Sequence, residues 1–246
     1  MLRFGHLYPD LMDLYGDRGN IIALEARCRW RGIETAVERI SLGDPLNFTE
    51  LDILFIGGGS DREQSLLVND LMRRKDEFRR AIDDGLVVVT ICGGYQLLGD
   101  YYQMANGEKI PGLGLLNLWT VAGDKRMIGN MALKLRVDQK WSAPELPTLV
   151  GFENHGGKTY LGPELEPLGQ VLSGFGNNGE DRQEGVRYCN VVGTYLHGPL
   201  LPKNPHLADW LLRMALARKG QEKRLEPLDD KFEKLAHQVM LDRLLS

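Results

Sequence analysis

"VVVTICGGYQLLGD", residues Val87 to Asp100, decides the fold. An apolar run from Leu86 to Ile91 stops at a cysteine, two glycines follow, and helix-like residues come next. So continuous an apolar strand reads as buried on both faces, as in a parallel sheet covered by helices. A residue on a sharp strand-to-helix turn projects its side chain away from the backbone, and the crowded turn needs small neighbours. Gly93 and Gly94 supply them after Cys92, while Thr90 stands where such an elbow often has a glycine. A helix starting here aims N–H groups and its positive dipole end at the sulfur, which favours the thiolate, and the same N–H groups can hold an oxyanion. Cys92 is therefore read as an activated nucleophile. The competing reading is a buried cysteine at a glycine-rich packing contact.

The flanking segments repeat the strand–helix alternation. Leu2–Tyr8 reads as a strand and Gly19–Arg31 as a helix, with Asp17 near its start and Gly32 past its end. Glu34–Ser41 alternates as a strand, and Leu51–Ile56 is a short apolar strand ending in Gly57, Gly58 and Gly59. Glu63–Asp84 reads as one long amphipathic helix carrying Leu66, Leu67, Leu71, Met72, Phe78 and Ile82 on one side. The helix after Cys92 is expected to run to about Gln103. This order predicts an α/β fold with a mainly parallel central sheet flanked by helices, and ligands bind at the carboxyl ends of such strands. Two of those ends, "FIGGGSD" and "TICGGYQ", are glycine-rich and lie close together if their strands are neighbours.

Beyond residue 115 the pattern changes to short strand-like runs: Leu115–Val121, Met131–Val137, Thr148–Glu153, Gln170–Gly174 and Gly185–Leu196. They predict an added mixed or antiparallel β region, with "GFGNNGEDRQEG" as a surface loop or hairpin tip. Two closing helices are expected, Pro205–Arg218 and Pro227–Leu245, with a charged linker, "KGQEKRLEP", between them. The last helix has the domain or a partner to dock on.

The 246 residues carry 30 basic and 34 acidic side chains, well mixed, for a formal net charge of −4. That balance gives no basic face for nucleic acid. No stretch approaches the ~18–20 apolar residues of a membrane span. The start is interrupted by Pro9, Asp10 and Asp13, unlike a signal peptide, so a cytoplasmic protein is expected. Three widely spaced cysteines, Cys28, Cys92 and Cys189, fit neither a zinc site nor a disulfide framework, and no metal is expected. Cys28 and Cys189 read as core packing.

A cysteine nucleophile needs a base. His206 and His237 fall in predicted helices at solvated or boundary positions, and His6 on the first strand reads as structural. His197 ends the apolar strand of "VVGTYLHGP", and His155 lies in "GFENHGGKT", also a strand end before two glycines. Strand-end position favours His197 and leaves His155 in play. Gly57–Gly59 can present N–H groups to an anion, or can simply be a bend between strand and helix. The stretch is neither a Walker loop nor a dinucleotide fingerprint.

With these residues in view, "ICGGYQLLG" resembles the nucleophile motif of class I glutamine amidotransferases of the cobyric-acid-synthase-like branch, and "GTYLHGP" resembles that branch's histidine motif. "HLYPDLMDLYGDRGNI" and "GFENHGGKTYLG" are similar to the GatD-type glutaminase subunits of lipid II isoglutaminyl synthases. The resemblance runs from about residue 3 to 215. It implies a flavodoxin-like class I amidotransferase domain over residues 1–218, followed by the linker and helix of 219–246. It implies Cys92 as nucleophile, His197 rather than His155 as general base, Gly58 and Gly93 as oxyanion-hole backbone, and Gln96 and Arg126 as glutamine contacts. Taken by itself, Arg126 in "DKRMIGN" reads as an exposed surface charge.

One departure stands out. Class I amidotransferases commonly place a glutamate two residues after the histidine, and here that position is Pro199. Loss of the orienting carboxylate removes tautomer control. The expectation is a Cys92–His197 dyad completed by a carboxylate from a partner subunit. The resemblance implies L-glutamine as substrate and a heterodimer with a Mur-ligase-like, MurT-type synthetase. ATP and magnesium belong to that partner, with no cofactor in this chain. The implied acceptor is the D-isoglutamate α-carboxyl of membrane-bound lipid II, reached without membrane insertion. Rival readings are an amidotransferase for another acceptor, such as a cobyrinate, usually fused to an ATP-binding domain; a catalytically silent regulatory module on the same fold; and an α/β-hydrolase-like cysteine hydrolase, for which no acid is evident between Cys92 and His197.

Overall fold

The strands that end in glycine build the sheet that carries the chemistry. The computed structural model describes residues 1–136, 146–221 and 225–246. Along its first half run β1 (Leu2–Leu7), α1 (Gly19–Arg29), β2 (Thr35–Ile40), β3 (Ile53–Ile56), α2 (Asp61–Met72), α3 (Lys75–Asp83), β4 (Val87–Ile91) and α4 (Gly93–Leu97). Much later the chain returns with β11 (Val186–Tyr188) and β12 (Val191–Thr194). The sheet order is β11-β12-β4-β3-β1-β2. All these pairs are parallel except β11 with β12. The parallel part, β2-β1-β3-β4-β12, has the flavodoxin-like strand order. Every residue of β3, β4 and β12 is buried, as apolar strands with helices on both faces require.

Two helices of the first half end sooner than periodicity predicts. The expected long helix breaks after Met72, where Arg74 leaves the helical region at φ −114°. Its guanidinium donates to the carbonyls of Leu46 and Asp44, and the re-aimed α3 stacks Phe78 on Phe48 at 4.7 Å. The helix after Cys92 ends at Leu97, not near Gln103. The Asp100 N–H donates to Leu118 O, which turns the chain into β5 (Tyr101–Gln103).

A second sheet contains β5, β6 (Lys109–Pro111), β7 (Leu118–Leu135), β8 (Thr148–Leu161), β9 (Gly169–Ser173) and β10 (Gln183–Glu184), in the order β10-β9-β7-β5-β6, with β8 on β7. It is the added mixed β region. The separate runs Leu115–Val121 and Met131–Val137 become one strand, β7, with Val137 outside the described residues. Thr148–Glu153 likewise extends into the fourteen-residue β8. The polar residues between the apolar runs read as loop, yet they form the exposed part of a long antiparallel ribbon.

The chain closes with α5 (Leu200–Lys203), α6 (Pro205–Arg218) and α7 (Lys231–Leu245). In the expected linker, residues 222–224 lie outside the described residues. The helix α7 docks on the domain. Buried Arg27 of α1 holds Asp209 of α6 and, through two hydrogen bonds, Asp230 at the start of α7. His237 is buried, against its expected solvated or boundary place: Thr148 Oγ1 lies 2.9 Å from its Nε2, and its Nδ1 lies 3.0 Å from Lys203 O. Cys28 is buried as expected, but Cys189 is exposed. It sits at φ +49° in the turn between β11 and β12, which points it out of the core. Among the described residues no helix is long and apolar enough to cross a membrane.

Candidate active site

Adjacent parallel strands end together, so their loops meet. Cys92 follows β4 directly, and its N–H donates to Thr194 O of β12 at 2.8 Å. It takes φ +49° and ψ −106°, a conformation rare outside glycine, and this is the sharp elbow expected there. Gly94 N–H donates to Gly57 O, joining the two glycine-rich ends. A side chain at Gly94 would fall 2.8 Å from the carbonyl oxygens of Ile56 and Gly57. The glycine pair therefore permits close approach of two loops.

His197 lies three residues beyond β12 and is pinned to β8 by Phe152: His197 N–H donates to Phe152 O at 2.7 Å. Its ring is fully buried. Asp17, also fully buried, comes from the loop at the carboxyl end of β1 and places its carboxylate 3.3 Å and 3.4 Å from His197 Nδ1. The expectation was a carboxylate from a partner subunit; within the chain itself, Asp17 already brings a carboxylate to the imidazole. Pro199, where a glutamate would orient the ring, packs instead against the start of α1, so close that a Cβ on Gly19 would meet its Cγ at 2.5 Å. That contact seats the Asp17 loop beside the imidazole.

Gly58 stands where these groups converge. A Cβ there would lie 2.7 Å from His197 Cε1, 3.2 Å from Asp17 Oδ2 and 3.6 Å from Cys92 Cβ. Its N–H donates to Asp17 Oδ2 at 2.8 Å, so the donor expected to face an oxyanion is committed to the carboxylate. The N–H groups of Gly59 and Gly93 have no acceptor among the described residues. They are side by side, a Cβ on Gly93 falling 3.0 Å from Gly59 N.

Burial pulls the His197 pKa down, but hydrogen bonding to Asp17 and interaction with the Cys92 sulfur outweigh it and raise the pKa to about 10. An imidazole so placed holds its proton at neutral pH beside the sulfur. Its Nε2 has no hydrogen-bond partner among the described residues. The arrangement can deliver a proton to a leaving group and take one back.

A cavity of about 460 Å³ opens over Cys92. Gln96, His155, Arg126, Asn154 and Tyr15 are among its walls. Gln96 is buried and its amide is held at both ends: Oε1 accepts from Gln64 Nε2, and Nε2 donates to Tyr195 Oη, each at 2.9 Å. One N–H of that amide remains for a ligand. Arg126 reaches the cavity because β7 and β8 lose register between Ala122 and Met127, and such an irregularity re-aims a side chain. Its Nε donates to Asn154 Oδ1. His155 is stacked on Tyr195 at 3.6 Å, and its Nδ1 lies 2.8 Å from Gly157 O. It lines the same cavity, but the carboxylate facing it, Glu153, already accepts from the N–H groups of Phe175 and Gly176. Tyr15, Asp17 and Asn154 are among the site residues that the sequence reading missed, and it placed the oxyanion donor at Gly58 rather than Gly59. The available signal was an acid between glycines, "YGDRG", at a strand's carboxyl end.

Known proteins resemble this chain in sequence and in fold. The profile of the CobB/CobQ-like glutamine amidotransferase domain matches residues 3–205. The chain is 44% identical to the Lipid II isoglutaminyl synthase (glutamine-hydrolyzing) subunit GatD of Staphylococcus aureus, over 97% of this chain and 94% of that protein. Identity to the subunit of the same name from Streptococcus pneumoniae is 42%, over 93% and 86%. A probable cobyric acid synthase of Methanothermobacter thermautotrophicus is 32% identical over 86% of this chain but only 42% of its own length. Among solved structures, a glutamine amidotransferase superposes with a TM-score of 0.56 at 18% identity, covering 86% of this chain and 98% of that one. A second, from Thermotoga maritima, gives 0.54 at 16% identity over 100% and 98%. These two share the fold. From the profile match and the close relatives it follows that the chain belongs to the CobB/CobQ-like glutamine amidotransferase family.

Proposed function

We propose that this chain is a glutaminase subunit that hydrolyses L-glutamine through a Cys92 thioester and passes the ammonia to a synthetase partner. The observation that carries the proposal is the convergence of Cys92, His197 and Asp17 on Gly58, beneath a cavity with a guanidinium on its wall. Glutamine enters with its side-chain amide toward Cys92. Arg126 pairs with the α-carboxylate, and the free N–H of Gln96 helps hold the substrate. The Cys92 thiolate attacks the amide carbon, and the N–H groups of Gly59 and Gly93 hold the resulting oxyanion. His197, oriented by Asp17, gives its proton to the departing nitrogen as the C–N bond breaks, releasing ammonia and leaving the γ-glutamyl thioester. His197 then takes a proton from water, which attacks the thioester and frees glutamate and the thiol.

The partner follows from the relatives called subunits of lipid II isoglutaminyl synthase. We assign to it a Mur-ligase-like fold of the MurT type, with ATP and magnesium, working in the cytoplasm on the D-isoglutamate α-carboxyl of lipid II. The more distant likeness to cobyric acid synthases keeps a cobyrinate-type acceptor as the second reading. The test is glutamate release from glutamine by the chain alone and with a co-expressed Mur-ligase-like protein, together with ATP-dependent amidation of lipid II. Amidation that requires both chains and is lost in Cys92→Ala supports the proposal. Glutamate release that survives Cys92→Ala would sink it.

A further inference from the structure

Tyr15 is a large side chain in a costly backbone conformation beside the catalytic groups. It takes φ +58° and ψ +23°, the left-handed region that aromatic residues rarely adopt. Tyr15 as a residue is 43% exposed, so burial does not explain the strain. What the conformation achieves is visible in its contacts. The ring meets the His197 imidazole edge-on, with centroids 4.9 Å apart and planes at 72°. It also meets Phe152, the residue that pins the His197 backbone, at 6.2 Å. The Tyr15 hydroxyl accepts a hydrogen bond from Asn154 Nδ2 at 2.6 Å. The other end of that amide, Oδ1, accepts from Arg126 Nε. Tyr15, Asn154 and Arg126 all line the cavity over Cys92.

The segment around Tyr15 is fixed independently of these contacts. Arg18 N–H donates to Asp13 Oδ1 at 2.7 Å, and Leu14 N–H donates to Gly58 O at 3.2 Å. The same short loop therefore hands His197 two things, the Asp17 carboxylate and the Tyr15 ring. Asn154 faces Ile128 across the β7–β8 ladder, beside the irregular stretch that carries Arg126. The hydrogen-bonded chain Tyr15–Asn154–Arg126 thus spans from the β1 loop to the second sheet across the cavity.

We propose that Tyr15 is a positioning residue with two separable tasks. Its ring holds the His197 imidazole in line with Cys92. Its hydroxyl, through Asn154, holds the Arg126 guanidinium where it receives the substrate's α-carboxylate. One strained residue thereby couples capture of the amino-acid end of the substrate to the base at its amide end. The proposal rests on the glutamine reading given above.

The two tasks separate in variants. Tyr15→Phe keeps the ring and removes the hydroxyl; Tyr15→Leu removes both. The probe is 6-diazo-5-oxo-L-norleucine, a glutamine mimic that alkylates a glutaminase cysteine, applied to the full chain and followed by intact mass. In Tyr15→Phe the change falls on the half-saturating concentration, which rises about five- to tenfold for one lost hydrogen bond. In Tyr15→Leu the maximal labelling rate also falls, by about tenfold or more, as the imidazole loses its wall. Asn154→Ala reproduces the Tyr15→Phe result. The maximal rate in Tyr15→Phe stays near that of the parent chain, because the ring is kept. A Tyr15→Phe chain that saturates at the parent concentration, or a Tyr15→Leu chain whose maximal rate equals that of Tyr15→Phe, overturns the proposal. Iodoacetamide, which carries no carboxylate, reports whether Cys92 stays accessible: a Tyr15→Phe loss equally large with this reagent means general disruption and overturns it too. If the parent chain is not labelled at Cys92 at all, the glutaminase reading fails and this proposal with it. Labelling of the parent with indifferent Tyr15 variants removes this proposal alone.

Discussion

Asp17 and His197 are separated by 180 positions in the chain, yet their side chains meet with no exposure to solvent. A buried carboxylate in that place fixes which imidazole nitrogen keeps its proton and stabilises the imidazolium that forms. Asp17→Asn is expected to lower glutaminase kcat by about 10²- to 10⁴-fold, as loss of an orienting acid does elsewhere. Steady-state kinetics on the chain and on its complex with the proposed synthetase partner decide the matter. A variant that keeps parental kcat in the complex would hand the orienting task back to a carboxylate of the partner. Gly58→Ala is a second test at this scale. Its methyl would sit 2.7 Å from His197 Cε1, with backbone rather than a flexible chain carrying the intruder. The expected result is a kcat loss of about tenfold or more, since the buried ring must shift away from its place beside Asp17. A parental kcat would show that the ring has room to spare. The strand-to-helix elbow at Cys92 was legible because an apolar strand, a cysteine and two glycines are contiguous. Asp17 was not, because its role depends on a contact that only the folded β1 loop creates.

At the scale of elements, sequence periodicity found β1 to β4 nearly to the residue, read β11 and β12 as one run, Gly185–Leu196, of the added β region, and misread the second sheet. β3 and β4 are apolar on both faces, so composition alone marks them; β12, VVGT, is as deeply buried but too short to stand out from the run around it. β7 and β8 have one exposed face and an irregular register, and both features break the simple alternation. Arg126 was ambiguous for the same reason: its place at the cavity depends on a shift of register that local sequence does not encode. The short β10 shows how such elements support the site. Its Glu184 is fully buried, and its Oε1 accepts from Thr194 Oγ1 and from Tyr195 N–H, just before His197 in the chain. Burial pushes the Glu184 pKa up to about 7, against the lowering effect of those hydrogen bonds. A carboxyl raised above its ordinary value favours the folded state when protonated. Its ionisation therefore costs stability as pH rises from about 4.5 through about 7. Glu184→Gln, which keeps an acceptor for both donors, is expected to lose this slope and to gain in Tm relative to the parent at pH 8 more than at pH 5. Parallel Tm–pH curves for the two proteins would exclude this account.

At the scale of the whole molecule, α1, α6 and α7 are tied together by charge in a nearly dry place. Arg27 is 4% exposed and binds Asp209 and Asp230, and Arg31 binds Asp209 as well. Hydrogen bonding to Asp230 and Asp209 outweighs burial and raises the Arg27 pKa. Removing Asp230 takes the acceptor from both terminal nitrogens of the buried Arg27 guanidinium and leaves it Asp209 alone, a loss of about 3 kcal/mol, the low end for breaking a buried pair. Asp230→Ala is therefore expected to lower Tm by roughly 6–12 °C in a chain of this size. The loss should appear first as exposure of α7, read by faster proteolysis or hydrogen exchange over Lys231–Leu245 than over β4. Catalytic labelling of Cys92 at low temperature should persist, because the Arg27 cluster touches none of the catalytic groups. The histidines on the same helices set the acid side of this docking. Burial, with the charge of His237 beside it, lowers the His206 pKa to about 4, and burial also lowers that of His237. A histidine whose folded pKa lies below its unfolded value stabilises the fold while neutral. The contribution is thus complete above about 6.5 and is lost as pH falls toward about 4. His197 works in the opposite sense: raised to about 10, it contributes fully below 6.5 and loses that contribution as pH rises through 10. The molecule should accordingly shed α7 on acidification and loosen its catalytic loops on alkalinisation. His206→Gln is expected to flatten only the acid limb of the Tm–pH curve, and Asp17→Asn only the alkaline limb. If either variant flattened both limbs, or neither, the two histidine environments would not be the separate titrating units that their burial and partners make them.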